Sequence, residues 1–205
     1  MTTMPFIMFD RLRMETDGDG VTTLVASKGC PLDCKYCLNK KLLCGDVPSR
    51  PVTPQELLAM VRIDDLYFRS TGGGIVFGGG ESLLQAEFIR EFDEVAPKAW
   101  RIYAETSLNV PEELLRTAMP AVDAWIVDIK DMNPDIYRAY TGRDNDNVYN
   151  NLRILAEAGR CDDVRIRVPS IPSFNTDEDR RKSVEAVKTI GPYTCFDLFD
   201  YVIRE

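Results

Sequence analysis

Short apolar runs rich in β-branched residues recur along the chain, and each has the length and composition of a buried β-strand. The six runs lie at residues 21–26, 75–77, 101–105, 124–130, 164–168 and 196–203. Between them, apolar residues recur with the spacing of amphipathic helices. Strands that alternate with helices are typical of βα units on a parallel sheet, so the pattern predicts an α/β protein.

Three helical segments carry clear local signals. At residues 53–70, Thr53 is followed by Pro54 and then by Glu56, which is the signature of a capping box at a helix start. Gly159 follows a helical pattern at the position where glycine is favoured. The segment 81–97 places five apolar side chains on one helix face: Leu84, Phe88, Ile89, Phe92 and Val95.

The number of units limits the architecture. A chain of 205 residues suits a partial barrel of six βα units, with a parallel sheet and outer helices. A closed eight-stranded barrel usually needs ~250 residues, and a doubly wound sheet is the alternative. We expect one domain over residues 1–205.

Polar residues cluster where the predicted strands end. In both architectures the functional residues lie at the carboxyl ends of the strands, so five consecutive strand ends point to one rim. In chain order these ends carry the cysteines of residues 30–37, the glycines and Glu81 of residues 78–82, the group Glu105–Thr106–Ser107, the pair Asp128 and Lys130, and Arg167.

Composition and charge narrow the function classes. Apolar residues make up 44% of the chain and charged residues 28%, and no apolar run reaches 18 residues, so no membrane span is expected. The first twenty residues do not resemble a secretory signal, which predicts a cytoplasmic protein. A net charge of −8 argues against nucleic-acid binding. The chain has no histidine, which excludes Ser-His-Asp and Cys-His catalysis and histidine-bearing zinc sites.

Lysines surround the cysteine-rich segment. Two interpretations remain open: solvated loop charges, or a positive surface that faces an acidic partner or an anionic metal centre. The four lysines are Lys28, Lys35, Lys40 and Lys41.

Three thiols lie within eight residues, because Cys30, Cys34 and Cys37 have the spacing C-x-x-x-C-x-x-C. Disulfides are disfavoured in a cytosolic chain, and structural zinc and ferredoxin-type clusters both need four ligands. Buried free thiols are the plain alternative. The pattern favours a [4Fe–4S] cluster with one iron open to a substrate or cofactor. Cys44 is interpreted as a bystander rather than a fourth ligand, and Cys161 and Cys195 as ordinary buried thiols.

These residues carry a family resemblance. The stretch "GCPLDCKYC" resembles the cysteine loop of radical S-adenosylmethionine enzymes, and "VFGGGESLLQ" is similar to their glycine-glycine-glutamate motif. The blocks "AETS", "VDIKDMNPDIYRAYTGRDNDNVYNNLRIL" and "VRIRVPSIPSFNTDED" resemble the glycyl-radical-enzyme activating enzymes of the pyruvate formate-lyase activase type. The likeness runs in order over about residues 8–200.

The resemblance implies a chemistry. The reduced cluster would donate an electron to S-adenosylmethionine bound at the open iron, and the carbon–sulfur bond would break. The resulting 5′-deoxyadenosyl radical would abstract a hydrogen from a backbone glycine of a large partner enzyme, with the cofactor supplying the difficult step. A flavodoxin or ferredoxin would supply electrons, and we expect a monomer that binds neither nucleic acid nor membrane.

The resemblance also implies roles for single residues. The cluster would be held by Cys30, Cys34 and Cys37, which are the catalytic cysteines. The S-adenosylmethionine contacts would be Tyr36 and Asn39 at the adenosyl part, Gly79, Gly80 and Glu81 at the methionine amino group, and Lys130 and Arg167 at its carboxylate. A monovalent cation beside that carboxylate would be held by Glu105, Thr106 and Asp128, so that Thr106 and Asp128 also belong to the cofactor site.

Each of these roles has a structural alternative. The glycines alone could form a strand-to-helix turn, with Glu81 placed favourably at a helix N-terminus. Lys130 and Arg167 could form surface ion pairs, and the strand-end acids could pair with them.

The chain departs from the family at three points. It lacks an eight-cysteine ferredoxin-like insert, which predicts a single cluster and favours the pyruvate formate-lyase type. The family usually has a histidine after the sixth strand, where this chain has Val202. The chain ends at Glu205, where the family normally continues with a helix. Other radical S-adenosylmethionine enzymes, such as an anaerobic ribonucleotide reductase activase or a peptide- or small-molecule-modifying enzyme, remain alternatives. So does a non-catalytic iron–sulfur module.

Overall fold

A computed structural model of the chain describes residues 2–14, 16–44 and 47–201, with Cys44 described by its backbone. The strands are β1 (Met4–Met14), β2 (Val21–Ser27), β3 (Arg50–Val52), β4 (Gly74–Gly79), β5 (Arg101–Thr106), β6 (Ala124–Asp128), β7 (Val164–Ser170) and β8 (Cys195–Asp200). The α-helices are α1 (Lys40–Cys44), α2 (Pro54–Val61), α3 (Asp65–Thr71), α4 (Ala86–Val95), α5 (Glu112–Ala118), α6 (Pro134–Thr141), α7 (Asp146–Glu157) and α8 (Asp177–Ile190). Single 3₁₀ turns lie at Arg62–Asp64, Ser82–Gln85, Met119–Ala121 and Cys161–Asp163.

The chain divides into two compact units. The first unit comprises residues 1–30, 39–106 and 113–125, and its strands lie in the order β3-β1-β2-β4-β5. Strand β1 is antiparallel to β2 and β3, whereas β2, β4 and β5 are parallel. The register pairs Ser27 at the end of β2 with Gly79 at the end of β4. This pairing places the start of the cysteine segment beside the glycine-rich turn.

The core of the first unit is built on the central strand β4. Ile75, Val76 and Phe77 are at most 1% exposed. The Phe77 ring meets Phe88 and Phe92 of α4 edge-on, at centroid distances of 6.2 and 5.5 Å. A strand buried on both faces appears in the sequence as a continuous apolar run, which is why the pattern predicted β4.

The second unit comprises residues 31–38, 107–112 and 126–205. Strands β6, β7 and β8 lie side by side, and β7 and β8 are parallel in a register that pairs Arg167 with Asp197. Helices α6, α7 and α8 bury their apolar faces against this unit, with Tyr137, Leu152 and Val187 fully buried. No helix in the described ranges is long and apolar enough to cross a membrane.

The strand prediction was incomplete, because the described residues form eight strands and not six. Strand β1 buries only Met4 and Phe6 strongly, and β3 has three residues that include Pro51. Strand β1 begins with an apolar run at residues 4–9 that was not predicted as a strand, and β3 is too short to show such a run. Both strands are held by backbone pairing. The strand predicted at 124–130 ends at Asp128, since Lys130 has a left-handed φ of 58°. The end of the run predicted at 196–203 lies outside the described residues.

The helix signals near Thr53 are confirmed. The backbone N–H of Glu56 donates to Thr53 Oγ1 at 3.3 Å, and the N–H of Thr53 donates to Glu56 Oε2 at 2.7 Å. The predicted helix is, however, interrupted by the 3₁₀ turn between α2 and α3. Gly159 has a φ of 71°, the left-handed conformation expected after a helix.

One apolar face was only partly correct. Phe88, Ile89 and Phe92 are buried in α4, as predicted. Leu84 is 40% exposed, so its assignment to the buried face was wrong. It lies in the 3₁₀ turn Ser82–Gln85, whose three residues per turn rotate the side chain away from the face of the following α-helix.

Candidate functional site

The cysteine loop, residues 30–37, presents its three thiols in different environments. Cys30 is exposed in the first unit. In the second unit Cys34 is buried and Cys37 is half-buried, and the Cys37 N–H donates to the Cys34 carbonyl at 3.2 Å. The pKa of the Cys34 thiol is raised to about 11, mainly by burial; the Lys130 ammonium lowers it, whereas Asp128 and Cys37 add to the rise. A thiol buried in this way ionises only when positive charge faces its sulfur.

An apolar cluster encloses Cys34 and Cys37. Tyr140 and Ile171 are fully buried against Cys34, and Leu32, Tyr36 and Phe174 pack around them. The Phe174 ring meets Tyr36 and Tyr140 at centroid distances of 5.7 and 5.2 Å. This apolar cluster keeps water from the buried Cys34 thiol. Tyr36, predicted to contact an adenosyl group, lies in this wall.

The described residues contain no group of three or more cysteine or carboxylate side chains that could together hold a single metal ion. A cubane cluster makes a different demand, because each thiolate binds a different iron. Within the second unit, the buried Cys34 thiol with the Lys130 cation acting on it and the half-buried Cys37 thiol are donors of the kind that such a cluster binds. Cys30, in the first unit, is exposed.

The glycine-rich turn lies tightly against the start of the cysteine loop. The N–H of Gly80 donates to Ser27 O at 3.2 Å, and the N–H of Glu81 donates to Gly29 O at 2.8 Å. A Cβ on Gly80 would lie 2.0 Å from Gly29 O, so only glycine permits this approach. The Asn39 side-chain amide donates to Gly79 O at 2.7 Å. Asn39, predicted to contact the adenosyl part, therefore ties the segment after the cysteines to this turn.

Glu81 and Thr106 are brought together by the first unit. Glu81 is 2% exposed, and its Oε1 accepts from the N–H of Leu83 at 3.1 Å and from Thr106 Oγ1 at 2.6 Å. The neighbouring Glu105 reaches over Gly78, with its Oε2 2.9 Å from where a Cβ on that glycine would lie. Glu81 was predicted to contact the amino group and Thr106 to hold the cation. Their hydrogen bond makes them one polar group.

Asp128 and Lys130 form a second polar group, in the second unit. Lys130 Nζ lies 2.6 Å from Asp128 Oδ2, and both side chains are less than one fifth exposed. Burial alone lowers the pKa of Lys130, but Asp128 and then Cys34 outweigh it and hold that pKa well above its usual value. The other oxygen, Asp128 Oδ1, is buried and accepts no hydrogen bond from any described residue. Such an oxygen needs a cation or a donor group to satisfy it.

Arg167 lies on the strand next to this pair. Its backbone carbonyl accepts from the N–H of Ile129 at 3.2 Å. Its guanidinium lies 3.6 Å from Asp197 Oδ2 and stacks over the Phe199 ring at 4.6 Å. The ion pair considered as an alternative is present. It also orients a planar donor group of the kind that binds carboxylates.

Sequence reasoning missed a buried carboxylate next to Lys130. Asp131 is 1% exposed, and its Oδ1 accepts from the N–H of Asn133 at 2.8 Å and from Ser183 Oγ at 3.2 Å. Its Oδ2 accepts from Asn175 Nδ2 at 3.1 Å. Burial raises the pKa of Asp131. The sequence shows only an acid in a polar stretch, and its partners lie 44 and 52 positions away.

The remaining cysteine predictions have mixed outcomes. Cys161 is buried as expected. Cys195 is exposed, so its interpretation as a buried thiol was wrong; it begins the last strand of its sheet, where one side faces solvent. The Cys44 side chain and Val202 lie outside the described residues.

Comparison with known proteins gives a family match. The model of the radical SAM superfamily matches residues 24–187. The isethionate sulfite-lyase activating enzyme of Desulfovibrio desulfuricans is 26% identical over 246 residues, which cover 90% of this chain and 79% of the relative. The pyruvate formate-lyase 2-activating enzyme of Escherichia coli is 30% identical over 189 residues, covering 77% of this chain and 64% of the relative.

A solved structure gives the same fold. The crystal structure of Streptococcus suis SuiB bound to precursor peptide SuiA has a TM-score of 0.64 at 11% identity, covering 84% of this chain and 37% of that one. Together with the family match, this likeness confirms the predicted fold class: an α/β partial barrel with an open, mostly parallel sheet.

Proposed function

Because the chain belongs to the radical SAM superfamily, we propose that it cleaves S-adenosylmethionine reductively and generates a glycyl radical on a partner enzyme. The observation that carries this proposal is the pairing of the superfamily match with relatives named as activating enzymes of glycyl radical enzymes. Superfamily membership implies a [4Fe–4S] cluster and S-adenosylmethionine. When bound, the cluster supplies the electron that breaks the carbon–sulfur bond, and the 5′-deoxyadenosyl radical abstracts the glycine hydrogen.

The residues that would hold the cluster are Cys30, Cys34 and Cys37. Lys130 offsets the cost of ionising the buried Cys34 thiol, because its charge favours the thiolate. The apolar wall of Tyr36, Tyr140 and Phe174 excludes water from that side. Exclusion of water protects a radical from side reactions.

The methionine end of S-adenosylmethionine would use the two polar groups. Glu81 offers its carboxylate to the amino group, and Thr106 together with the Leu83 N–H orients that carboxylate. Lys130 and Arg167 offer positive charge to the methionine carboxylate. Asn39 and Tyr36 would define the adenosyl end.

We also propose that a monovalent cation binds beside the methionine carboxylate. Asp128 Oδ1 supports it, because this buried oxygen has no hydrogen-bond donor among the described residues. Glu105 and the hydroxyl of Thr106 would add oxygen ligands, which hard cations prefer.

The partner would be a glycyl radical enzyme of the pyruvate formate-lyase type, with a flavodoxin or ferredoxin as electron donor. Support for a single-cluster activase comes from the cysteine count. The chain has six cysteines, fewer than an eight-cysteine insert alone would contain. We further propose one core domain and a monomer.

The proposal is tested by anaerobic reconstitution. The reduced chain, S-adenosylmethionine and a candidate glycyl radical enzyme are mixed, and 5′-deoxyadenosine and the electron paramagnetic resonance spectrum are measured. We expect nucleoside release and a carbon-centred doublet that requires the glycine of the partner. Cleavage without such a doublet for any partner would support another radical SAM enzyme, and no cleavage would support a non-catalytic iron–sulfur module.

Matched cysteine variants give the controls. Cys34→Ala and Cys30→Ala should each abolish cluster binding and nucleoside release together. Cys161→Ala removes a buried thiol and Cys195→Ala an exposed one, and both should retain the cluster and the activity.

A further inference from the structure

The end of helix α6 makes contacts that have no part in the proposed chemistry. Helix α6 ends at Thr141, and Gly142 adopts a left-handed φ of 73° with its N–H donating to Arg138 O. The last carbonyls of a helix have no partner within the helix and must be satisfied elsewhere. At α6 they face the cysteine loop.

Two backbone hydrogen bonds join this helix end to the loop. The N–H of Asp33 donates to Thr141 O at 2.9 Å, and the N–H of Lys35 donates to Tyr140 O at 3.1 Å. These two amides lie on either side of Cys34. The helix end therefore fixes the backbone of the residue whose thiol is buried.

Two side chains extend the contact to both ends of the loop. Arg143 Nε donates to Pro31 O at 3.0 Å. Tyr201, just after β8, donates its hydroxyl to Tyr36 O at 2.6 Å. The loop backbone between residues 31 and 36 is thus held at four points by groups 105 or more positions away in sequence.

Thr141 shapes the helix end itself. It is fully buried, and its Oγ1 donates to Tyr137 O at 2.8 Å and accepts from the N–H of Arg143 at 3.2 Å. This hydroxyl orients the chain after Gly142 so that Arg143 reaches the loop.

We propose that residues at the end of α6 and just after β8 form a loop clamp, a set of positioning residues that hold the cysteine loop in its binding geometry in the cluster-free protein. The loop clamp consists of Tyr140, Thr141, Gly142, Arg143 and Tyr201. A loop ordered in advance does not lose that conformational freedom when it binds its ligand. The role in holding a cluster rests on the proposed function, whereas the ordering of the loop does not. Arg143 and Tyr201 are the members whose side chains donate directly to the loop.

The test uses hydrogen exchange of the full chain, with and without reconstituted cluster, measured by mass spectrometry on peptides that cover residues 31–37. Arg143→Met and Tyr201→Phe each remove one anchor at opposite ends of the loop. In the cluster-free chain, each should accelerate exchange in this segment by about fivefold to tenfold. In the reconstituted chain, each should accelerate loss of iron to a chelator by a similar factor.

Two matched controls separate the clamp from general effects. Arg138→Met removes an exposed arginine of the same helix whose side chain forms no hydrogen bond or ion pair within the described ranges. Tyr193→Phe removes a tyrosine hydroxyl that also donates to a backbone carbonyl at 2.6 Å, that of Leu152. Both controls should leave exchange at residues 31–37 and iron loss unchanged.

The outcomes are distinct. The clamp would be overturned if both clamp variants exchanged amide hydrogens at residues 31–37 and lost iron at the same rates as the controls. If one variant fails to fold, as judged by thermal melting, the other decides. If the unmodified chain binds no cluster or cleaves no S-adenosylmethionine, the proposed function fails, while exchange in the cluster-free chain still supports or overturns the clamp.

Discussion

Thr106 donates its hydroxyl to Glu81 across 2.6 Å, and both side chains are at most 3% exposed. Thr106 ends β5 and Glu81 follows β4, so this hydrogen bond joins the carboxyl ends of two neighbouring parallel strands. A buried carboxylate needs donors, and the structure supplies them before any ligand binds.

Replacement of Thr106 should therefore affect Glu81. Thr106→Val keeps the shape but removes the hydroxyl, which leaves a buried carboxylate oxygen short of a donor. We expect the free energy of unfolding to fall by about 1–3 kcal/mol and the affinity for S-adenosylmethionine to weaken. Urea denaturation and calorimetric titration measure the two effects. Thr106→Ser should restore both, and Thr117→Val, at a half-buried position of α5, should change neither. Equal behaviour of Thr106→Val and Thr117→Val would contradict the assigned role.

Gly80→Ala should be far more costly than an ordinary glycine substitution. Its Cβ would lie 2.0 Å from Gly29 O, so the backbone must move and the hydrogen bond from Glu81 to Gly29 must weaken. We expect a loss of more than about 3 kcal/mol in unfolding free energy. Gly159→Ala is the control: it places alanine at a left-handed φ of 71° but meets no atom within 4 Å, and should cost about 1 kcal/mol. Similar losses of unfolding free energy for Gly80→Ala and Gly159→Ala would show that the approach to Gly29 O does not exclude a side chain at residue 80.

Alkylation of the cluster-free chain should distinguish the buried Cys34 from the exposed cysteines. The Cys34 thiol is buried and has a pKa raised to about 11, so at pH 8 only about one molecule in a thousand carries the reactive thiolate. We expect iodoacetamide to modify exposed Cys30 and Cys195 at least a hundredfold faster than Cys34, as measured by peptide mass spectrometry. Below pH 11 the rate at Cys34 should rise about tenfold for each pH unit. Fast labelling of Cys34 at pH 8 would refute its burial.

Asp131 should make stability depend on pH. Its pKa in the folded protein is raised above the ordinary value of 3.8, mainly by burial. Its contribution to stability is therefore fully present below pH 3.8 and is lost as the pH rises through the folded pKa. We expect the free energy of unfolding of the unmodified chain, relative to that of Asp131→Asn, to fall as the pH rises from 3.8 through the folded pKa. Above that pKa the difference should stay constant. Urea denaturation over a pH series measures it, with exposed Asp135→Asn as the control. A difference independent of pH would show that the carboxyl group titrates normally.

Local signals predicted several elements of the fold and the candidate cluster ligands. The cap at Thr53, the buried strand at residues 75–77 and the cysteine spacing depend on neighbours only a few positions apart. Such patterns report burial and backbone geometry directly. Strand β1 was missed although it begins with an apolar run at residues 4–9; only Met4 and Phe6 of that run are buried, and the strand pairs with β2 and β3.

The finer arrangement of the site depends on distant contacts. Nothing near Asp131 in the sequence indicates that Asn175 and Ser183 satisfy its carboxylate. Likewise, the sequence around Tyr201 does not reveal that its hydroxyl holds the Tyr36 carbonyl, 165 positions away. The left-handed Lys130 also ends a run that reads as a longer strand.

Residues close together along the chain already indicate the chemical character of this protein: three spaced thiols, a glycine-glutamate turn and alternating strands and helices. The folded chain adds that Cys34 is the buried thiol, that the Lys130 charge acts on it, and that the end of α6 holds its loop. Burial and charge depend on which distant segments pack together, and folding alone brings those segments into contact.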